Sequence, residues 1–454
     1  MFHLLSSFLF FATTPPPLPP PTPQEFVRPQ IVRPLPGSLN TVPVFNSNSP
    51  ELVLEPGILL STFPATGTTH PQAHLDFPLE GRFDIFAHHV AKAPTPDDLR
   101  TLYLGVIVDN PGREAVKINI LQAVSYLSQP DAPFIKLDPF LENSDGTIYA
   151  GPGSRVMGEI LRGWHQIQFP FLMTIPAGER QMLLNLPIPV KDFDPPINGR
   201  SSYLRLRSNG RVYLASLAMF APKDEEGNER PPTLAEWEAL LQTGDLAKPR
   251  DRAPTPPNSE GSSFLYGRVA GVAQGSQWEA KLTDRSEVDF LTIPDRGQII
   301  SYGISTLDRG TLGTEQIQSA PMLARYPDTA YKAHGNYGIR YSLNLPLYNP
   351  TEAMQTVTIA LETPIKQDEI STGLRFFDPL PTNTFFRGTV RVKYTDDGGI
   401  LQTRYYHLVQ RRGQEGEPLV TLHLQPNTQR SVSVDLLYPP DSTPPQVLTI
   451  QTLK

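Results

Sequence analysis

The sequence predicts a mainly β protein with two related antiparallel β-sandwich domains of immunoglobulin-like type, joined by a linker that carries one short helix. Three observations predict this fold. The 454 residues include 50 prolines and 32 glycines, which interrupt long helices but suit short strands joined by turns. Apolar and polar residues alternate over many short runs. Landmarks of the first half return in the same order in the second half, which indicates an internal duplication.

The duplication rests first on two strand–turn–strand segments. The strand Leu102–Asp109 ends at Asn110-Pro111, and apolar alternation resumes at Val116. A turn of this composition predicts either a β-hairpin or a tight corner between two sheets. The second half repeats the order with residues 341–348, the pair Asn349-Pro350 and residues 357–361.

Two further landmarks follow each segment. Residues 176–180 and 426–430 both run from a proline to an arginine, and each opens a strand. Residues 212–217 and 447–450 then form one more β run each. Chance similarity between β-strands is the alternative explanation for these matches.

The predicted organisation divides the chain into five parts. The parts are a signal peptide (1–14), a proline-rich spacer (15–27), a first β-sandwich domain (28–221), a linker (222–263) with a short helix over 234–243, and a second β-sandwich domain (264–454). The apolar leader lacks a preceding Lys or Arg, so an apolar leader on a cytosolic protein is the alternative. The spacer is interpreted as a polyproline stalk or as an inert linker.

Local signals predict the main turns and the linker helix. Residues 138–163 contain two Gly/Asn-rich stretches and predict a long loop or an excursion between sheets. Asn209-Gly210 predicts a hairpin turn. Thr233 and Glu236 have capping-box spacing ahead of a helix with Trp237 on its apolar face. We interpret that helix as a clasp between domains, with a partner-docking helix as the alternative.

Composition excludes several function classes. The net charge is −7 and no Lys/Arg block stands out, so no nucleic-acid partner is expected. The chain has no cysteine, which excludes disulfides, thiolate catalysis and Cys-ligated metals. The apolar leader is too short to cross a bilayer, so no transmembrane span is expected.

The sequence identifies no catalytic or cofactor-binding residue, and no cofactor is expected. It contains neither a P-loop nor a Gly-x-Ser-x-Gly elbow. A metal site is left open, with an oxygen/nitrogen ligand set in residues 73–89 and just before them as the candidate. The candidate ligands are His70, His74, Asp76, Asp84, His88 and His89. His88 and His89 are neighbours, and a strand would send them to opposite faces.

Aromatic residues of the second half offer one further candidate, a glycan-binding platform. A buried core is the favoured interpretation, because aromatics in alternating strands usually face inward. The residues concerned are Tyr341, Tyr348, Phe376, Phe377, Phe385 and Phe386. His334 precedes the second repeat at a position that predicts a structural corner, with a ligand pocket as the alternative.

Several stretches together resemble a known family. They are Arg28-Pro-Gln-Ile-Val-Arg-Pro-Leu-Pro-Gly37, Val44-Phe-Asn-Ser-Asn-Ser-Pro50, Gly81-Arg-Phe-Asp-Ile-Phe-Ala-His-His89 and Leu184-Asn-Leu-Pro-Ile-Pro189. The chain is similar over nearly its whole length after the proline run to a cyanobacterial family of exported proteins of unknown function. The resemblance implies export and transfers no activity and no site residues.

These observations favour a non-enzymatic exported protein that binds or scaffolds surface components. Its expected location is the periplasm, the outer cell surface or the extracellular space, and its expected partner is a cell-surface polysaccharide or an envelope protein. Two alternatives remain: a carbohydrate-active hydrolase with carboxylates in its loops, and a metal-dependent adhesion module.

Overall fold

The structure is a computed structural model that describes residues 21–257, 259 and 264–454. The predicted signal peptide, residues 1–14, lies outside the described residues, as do residues 15–20 of the predicted spacer. The described chain is mainly β, as the sequence predicts, with several antiparallel and mixed sheets. Within this part of the chain, no helix is long and apolar enough to cross a membrane.

The strands of the first half are mostly short, with three long exceptions in β6, β8 and β12. They are β1 (Gln24–Pro29), β2 (Ile31–Arg33), β3 (Pro43–Ser47), β4 (Leu52–Val53), β5 (Gly57–Ser61), β6 (Leu79–Lys92), β7 (Leu102–Asp109), β8 (Val116–Leu127), β9 (Phe140–Glu142), β10 (Leu172–Ile175), β11 (Arg180–Ile188) and β12 (Ile197–Phe220). The helix α1 (Pro152–Arg162) lies between β9 and β10. The helix α2 (Leu234–Thr243) follows β12.

The second half is built from strands alone. They are β13 (Ala270–Gln274), β14 (Gln277–Lys281), β15 (Leu291–Thr292), β16 (Ile299–Ile304), β17 (Ala320–Arg325), β18 (Lys332–Ala333), β19 (Arg340–Tyr348), β20 (Gln355–Glu362), β21 (Gly373–Asp378), β22 (Thr384–Thr395), β23 (Leu401–Arg411), β24 (Pro418–Leu424), β25 (Gln429–Leu437) and β26 (Gln446–Thr452).

The first half forms two connected layers. One runs in the order β10-β8-β12-β6-β3-β13-β17-β18, and the other pairs β11 with β7, β7 with β12 and β12 with β5. Strand β12 belongs to both, because residues 197–208 pair in the first layer and residues 213–220 in the second. Asn209-Gly210 therefore lies inside one bent strand, and the predicted hairpin there is wrong. The Asn209 side chain instead accepts the Lys117 N–H at 2.7 Å, which holds the bend against β8.

The second half forms two sheets, in the orders β14-β19-β25-β22-β23-β9 and β2-β16-β26-β20-β24. Strands cross between the halves in both directions. Strands β2 and β9 come from the first half, whereas β13 and β17 of the second half extend a sheet of the first. The division at residues 221 and 264 stays a prediction, and the two halves share their sheets.

The N-terminal segment is held against the second half. Strand β1 pairs with β21, so residues 24–27 of the predicted spacer lie in a sheet. Arg28 forms an ion pair with the buried Glu362 and a second one with Glu415 at 2.9 Å. The guanidinium also lies 4.6 Å from the ring centre of Phe376. These contacts give the Arg-Pro run of the sequence a structural role.

The pairing pattern of one set of strands recurs in another. We call β6, β7, β8, β10, β11 and the first part of β12 the first set, and β16, β19, β20, β24, β25 and β26 the second set. The order β6-β12-β8-β10 corresponds to β16-β26-β20-β24, and the pair β7·β11 corresponds to β19·β25. Strands β7 and β8 pair in different layers, so the chain turns a corner between sheets at Asn110. Of the two alternatives predicted for this turn, the corner is confirmed.

The two corners are built by the same hydrogen bonds. The buried Asn110 amide donates to the carbonyls of Glu114, Ile175 and Pro176 at 2.7–3.0 Å. The buried Asn349 amide donates to the carbonyls of Ala353, Leu424 and Gln425 at 2.9–3.1 Å. In each corner, one asparagine satisfies the buried carbonyl at the end of a strand, Ile175 or Leu424, and ties it to two carbonyls of the flanking turns.

This geometry corrects two of the predicted matches. The backbone N–H of Asn110 donates to Glu179, and that of Asn349 donates to Thr428. Residue 176 therefore corresponds to 425, one position earlier than the match between the two prolines predicts. Gly178 and Asn427 coincide as a result, and both have a positive φ, 70° and 53°. The counterpart of β26 is the first part of β12, whereas the sequence matched it to residues 212–217.

Of the two alternatives predicted for residues 138–163, an excursion between sheets is confirmed, because β9 pairs with β23; helix α1 occupies the end of the stretch in place of a loop. The Gly151-Pro152-Gly153 stretch resembles a turn, but proline is favourable in the first helical turn. Gly163 ends the helix with a left-handed φ of 89°. The buried face includes Val156, Met157, Ile160 and Leu161, which share one core with side chains of β8 and β25. The helix therefore lies between the halves.

Helix α2 has the predicted bounds and the predicted capping box between Thr233 and Glu236. Its buried Trp237 packs on the outer face of β5, β7 and β12, all in the first half. The predicted role as a clasp between the halves is therefore wrong for α2, and α1 occupies that position. A Cβ on Gly105 would lie 2.8 Å from the Trp237 ring, so a glycine in β7 makes room for this helix.

Candidate functional site

A cleft opens where the chain leaves the linker, lined by the linker, the second half and Asn48 of the first half. Its wall includes Tyr266 and Arg268 from the segment after the linker, His334 and Tyr337 from the loop after β18, and Lys366 from the loop after β20. Its volume is about 190 Å³. An adjoining space of about 310 Å³ shares Tyr266 and His334. We call the two spaces together the Tyr266 cleft.

The segment that carries Tyr266 has no regular secondary structure and is held by specific contacts. The Thr255 N–H donates to the Leu265 carbonyl at 2.8 Å. Gly267 has a φ of 80°, and a Cβ there would lie 3.0 Å from Pro254. The ring of Tyr266 lies 4.8 Å from that of Phe264 and 4.5 Å from that of His334, between ring centres. A linker segment and a second-half loop are thereby joined into one aromatic wall.

Lys366 brings a cation into the cleft. Its Nζ donates to the Tyr266 hydroxyl oxygen at 2.8 Å, and the Tyr266 hydroxyl donates to the Arg309 carbonyl at 3.1 Å. Burial lowers the pKa of the Lys366 ammonium to about 8 and raises the pKa of the Tyr266 hydroxyl to about 12. At neutral pH Lys366 is therefore mostly charged, but it loses its proton at a much lower pH than an exposed lysine.

His334 forms the wall common to both spaces. It is buried, and burial lowers the pKa of its imidazole to about 4, so the ring is neutral at neutral pH. Its Nδ1 has no hydrogen-bond partner within the described chain and lies 3.9 Å from Asp308 Oδ2. Asp308 in turn pairs with Lys332 at 2.5 Å. The imidazole thus offers an unused nitrogen beside the cleft.

Two carboxylates, Glu51 and Asp441, lie next to residues of the cleft wall and have contrasting surroundings. Glu51 pairs with Arg268 and lies 3.5 Å from His88 Nε2. The hydrogen bond with His88 and the charge of Arg268 lower the pKa of Glu51, although burial opposes this. Asp441 has an enclosed Oδ2 without a hydrogen-bond partner among the described residues, and burial raises the pKa of its carboxyl. It directly precedes Ser442, which lines the cleft.

The arrangement is suited to holding a small acidic ligand. Lys366 and Arg268 supply positive charge, and the rings of Tyr266, Tyr337 and Phe264 supply flat apolar surface. Aromatic faces with a few convergent polar groups are typical of small-ligand sites, whose volumes run roughly 300–1,000 Å³. The two adjoining spaces, about 190 and 310 Å³, have the size of such a site.

The residues of the predicted metal site are not brought together. Each buried member is engaged elsewhere: His74 with Ser61 at 2.8 Å, Asp84 with Arg82 and Tyr203, and His89 with Ser47 and the Pro50 carbonyl. His88 turns to the opposite face of β6 from His89, as the sequence predicts, and contacts Ser201 at 2.8 Å. Within residues 21–257, 259 and 264–454 no group of three or more His, Cys, Asp or Glu could hold a metal ion.

The aromatic platform is also absent from the described part of the second half as a continuous surface. Tyr341, Phe376 and Phe386 are fully buried in the core, which confirms the favoured interpretation for these three. Tyr348 is half-buried and packs its ring 4.9 Å from that of Phe290.

Of the residues that line the cleft, the sequence singles out His334 and gives no local signal for Tyr266, Lys366 and Arg268. His334 was placed at a corner with a pocket as the alternative, and the structure places it in the wall of the cleft. Tyr266, Lys366 and Arg268 carried no local signal, because they lie on segments up to a hundred residues apart. The sequence signal for the segment around Tyr266 is the change from the proline-rich linker to the aromatic run Phe264-Leu-Tyr-Gly267, which carries Tyr266 into the cleft.

Comparisons with known proteins identify a family, whereas the similarities to two solved structures are too weak to indicate a fold or a function. No curated protein sequence matches the chain. Among solved structures, the coconut allergen cocosin is 10% identical over 81% of this chain and 77% of its own, with a TM-score of 0.10. A mutant of Bacillus subtilis oxalate decarboxylase is 10% identical over 87% of this chain and 77% of its own, with a TM-score of 0.09. Such TM-scores carry no argument about this chain.

One family model matches nearly all of the described chain. It covers residues 30–452, from β2 and the N-terminal segment through both halves and the Tyr266 cleft to the last strand. The chain therefore belongs to the family described as "Protein of unknown function (DUF3370)".

Proposed function

We propose that the protein is an exported, non-enzymatic protein that binds acidic polysaccharide at the cell surface and scaffolds surface components. The observation that carries the proposal is the Tyr266 cleft, in which the Lys366 ammonium lies against an aromatic wall. The proposed location is the periplasm, the outer cell surface or the extracellular space. The leader and the resemblance to cyanobacterial exported proteins support export and a cyanobacterial origin.

The same proposal includes the architecture. We propose two immunoglobulin-like β-sandwiches derived by duplication, with strands exchanged between them. The recurring strand order and the matching Asn110 and Asn349 corners support this origin. Exchanged strands and α1 would make the two sandwiches one rigid body, which suits a scaffold that displays a cleft at their junction.

An acidic sugar fits the chemistry of the cleft better than a neutral one. A carboxylate on the ligand would pair with Lys366 in a partly desolvated setting, where such a pair is stronger than in water. The sugar ring would lie on Tyr266 or Tyr337, since aromatic faces bind the apolar faces of flat ligands. The unused Nδ1 of His334 would accept a hydroxyl.

The first test measures binding of oligogalacturonate and of neutral galactose oligomers to the full chain by calorimetry. We expect the acidic oligomer to bind and the neutral one to bind at least tenfold more weakly. Lys366→Gln should abolish the difference, whereas the exposed Lys191→Gln should leave it unchanged. Equal binding of both oligomers, or no effect of Lys366→Gln, would overturn the assignment of this ligand class.

The acidity of Lys366 gives this test a pH signature. With a pKa of about 8 instead of 10.5, the ammonium is largely lost between about pH 7 and pH 9. Affinity for the acidic oligomer should therefore fall about tenfold over that range. Lys366→Arg keeps its charge and should bind equally at both pH values.

A test on native material addresses the scaffold role. The full chain is mixed with washed envelopes, with and without prior removal of polysaccharide. Saturable pelleting that disappears after polysaccharide removal would support the proposal. A protein that stays in the supernatant under every condition would rule out envelope binding.

One observation favours a second function, a carbohydrate-active hydrolase. Glu51 pairs with Arg268 of the cleft wall, Asp441 directly precedes Ser442 of the same wall, and their surroundings shift the pKa values of the two carboxyls in opposite directions. Such a division is typical of a carboxylate and a carboxylic acid that act together on a glycosidic bond. Release of reducing ends from the acidic polysaccharide, lost in Asp441→Asn, would favour this function over binding alone.

A further inference from the structure

A second surface, which shares no residue with the Tyr266 cleft, presents apolar side chains to solvent. The segment between α1 and β10 exposes Ile167 fully, at 100%, Phe171 at 71% and Trp164 at 59%. Leu172 of β10 and Leu121 of β8 are also exposed, at 49% and 46%. We call these five side chains the apolar ledge.

The ledge spans two neighbouring strands and the segment that leads into one of them. The Ile120 N–H donates to the Phe171 carbonyl at 2.9 Å, which places Phe171 opposite Ile120, the residue before Leu121. Leu172 pairs with Asn119 in the ladder between β10 and β8. Large contiguous apolar patches are rare on soluble monomers and mark interaction sites.

The segment that carries the ledge is firmly held. Gln166 donates its N–H to the Ala123 carbonyl at 2.9 Å, and its side chain accepts the Ser125 N–H at 2.8 Å. Phe169 is buried in the core of the first half, and the His165 ring stacks on Phe171 at 4.1 Å between centres. The outward position of Trp164, Ile167 and Phe171 is thus built into the fold.

Uncompensated positive charge lies next to the ledge. Arg207 pairs with Asn119 in the β12·β8 ladder, and Lys117 lies two residues further along the same face. Both are exposed, and neither side chain has an acidic partner within the described part of the chain. Arg82 and Arg205 lie on the same face and share the single carboxylate of Asp84. The surface therefore combines apolar side chains with net positive charge.

We propose that this surface docks the protein on an anionic phospholipid membrane. Full exposure of Ile167 means that the side chain projects outward, a geometry suited to insertion between lipid headgroups. Tryptophan and phenylalanine are favourable at that depth, and nearby Lys and Arg add attraction to anionic lipid. Charge complementarity favours an acidic bilayer over a neutral partner, and the ledge and the cleft can be occupied independently.

The experiment is flotation of the full chain with phosphatidylcholine vesicles, with and without phosphatidylglycerol. We expect binding to the anionic vesicles that weakens as salt is raised. Ile167→Ser combined with Phe171→Ser should reduce binding more than tenfold. The matched control is Ile400→Ser combined with Leu401→Ser, two side chains exposed at 64% and 73% in the β22–β23 turn, which should bind like the unchanged protein.

A second pair of variants tests the charge. Lys117→Gln with Arg207→Gln should lower affinity for anionic vesicles roughly thirtyfold, at about fivefold for each cation. Lys191→Gln with Arg252→Gln, two exposed cations elsewhere, should leave it unchanged. Equal binding to neutral and anionic vesicles, or an equal loss in the control pairs, would overturn the proposal.

Tryptophan fluorescence gives an independent readout. The chain has 3 tryptophans. Trp237 and Trp278 are buried, so Trp164 is the one that vesicles can reach. Its emission should shift to shorter wavelength with anionic vesicles, and the shift should vanish in Trp164→Phe. An unchanged spectrum with bound vesicles would show that the ledge is not the docking surface.

Discussion

Strands β7 and β19 occupy equivalent positions in the two sets, yet their outer faces have opposite fates. In β7, Gly105 and Ile107 lie under the Trp237 ring of α2 and are sealed from solvent. In β19, the position equivalent to Gly105 is Asn344, which is exposed together with a polar surface that includes Ser342 and Arg340. The presence of α2 therefore decides whether the strand at this position is buried on both faces and apolar throughout, as in β7, or alternates between apolar and polar residues, as in β19.

The corners that follow these strands are the same in both sets. Asn110 and Asn349 each donate to three carbonyls, and each is fully buried. The comparison indicates that corners are constrained by buried backbone groups, whereas sheet faces are free to diverge with whatever covers them. The predictions below separate these two constraints.

The largest expected loss of stability follows from removing the Trp237 side chain that covers β7. Trp237→Ala should lower the free energy of unfolding by roughly 3–5 kcal/mol, because it empties a buried site above Gly105. Asn344→Ala at the open position should change it by less than about 0.5 kcal/mol. Urea unfolding followed by circular dichroism measures both, and similar values for the two variants would refute the proposed difference between the faces.

Acid should weaken the fold through buried histidines in both halves, of which His89 and His407 lie inside strands. Burial lowers the pKa of His89 in β6 and of His407 in β23 from 6.5 to about 4. Between these values the unfolded chain binds a proton that the folded chain does not. The stabilisation is therefore complete above about pH 6.5 and is lost as the pH falls towards 4, by on the order of 3 kcal/mol per histidine.

The two histidines should respond differently to substitution. His89 has partners on both nitrogens, whereas both nitrogens of His407 are enclosed without one in the described chain. At pH 7, His89→Leu should lower the free energy of unfolding by roughly 1–3 kcal/mol, and His407→Leu should leave it unchanged or raise it. Both variants should flatten the pH dependence between pH 4 and 6.5, and an unaltered slope in His407→Leu would contradict the assignment.

The corners should be equally sensitive. Asn110→Ala and Asn349→Ala each remove the amide that donates to one buried carbonyl and two partly buried ones, and each should lower the free energy of unfolding by about 1–3 kcal/mol. Because the hydrogen bonds are the same, the two values should agree within about 0.5 kcal/mol. A large change at one corner only would mean that the corners are alike in geometry but not in energy.

The smallest effect tests the register between the two sets. Gly178 has open space around its missing Cβ, so Gly178→Ala should lower the free energy of unfolding by about 1–2 kcal/mol through its positive φ alone. Asn427→Ala should also destabilise, by less. Thr428, the residue that matching the prolines would place opposite Gly178, should tolerate Thr428→Ala within about 0.5 kcal/mol. A larger loss of stability in Thr428→Ala than in Asn427→Ala would instead support the register in which the two prolines correspond.

Local patterns predicted the elements whose signals are local. The capping box gave α2 its correct bounds, and alternation after Asn110 and Asn349 located the two corners. Patterns failed where neighbours far along the chain decide the outcome. The segment Gly151-Pro152-Gly153 resembles a turn, yet it begins α1 because the helix is stabilised between two halves. Asn209-Gly210 has hairpin chemistry, yet the two layers hold it inside β12.

The candidate site divides in the same way. His334 stood out because it precedes a repeated strand, and it does line the Tyr266 cleft. Lys366 and Tyr266 have ordinary sequence surroundings, and their shifted pKa values arise from burial among segments that lie far apart in the sequence. The metal ligands proposed from residues 70–89 failed for the converse reason, because each side chain found a nearer partner on another strand.

By itself, the sequence determined the β class, the strand-breaking corners, the capped helix α2 and the absence of cysteine chemistry, since each depends on residues within one or two turns of chain. The tertiary structure decided which faces are covered, which helix joins the halves, how strands are exchanged between them, and which cation lies beside which ring. These features depend on contacts between residues separated by up to several hundred positions. No local pattern encodes such a contact, because its free energy comes from burial that exists only once both partners are in place.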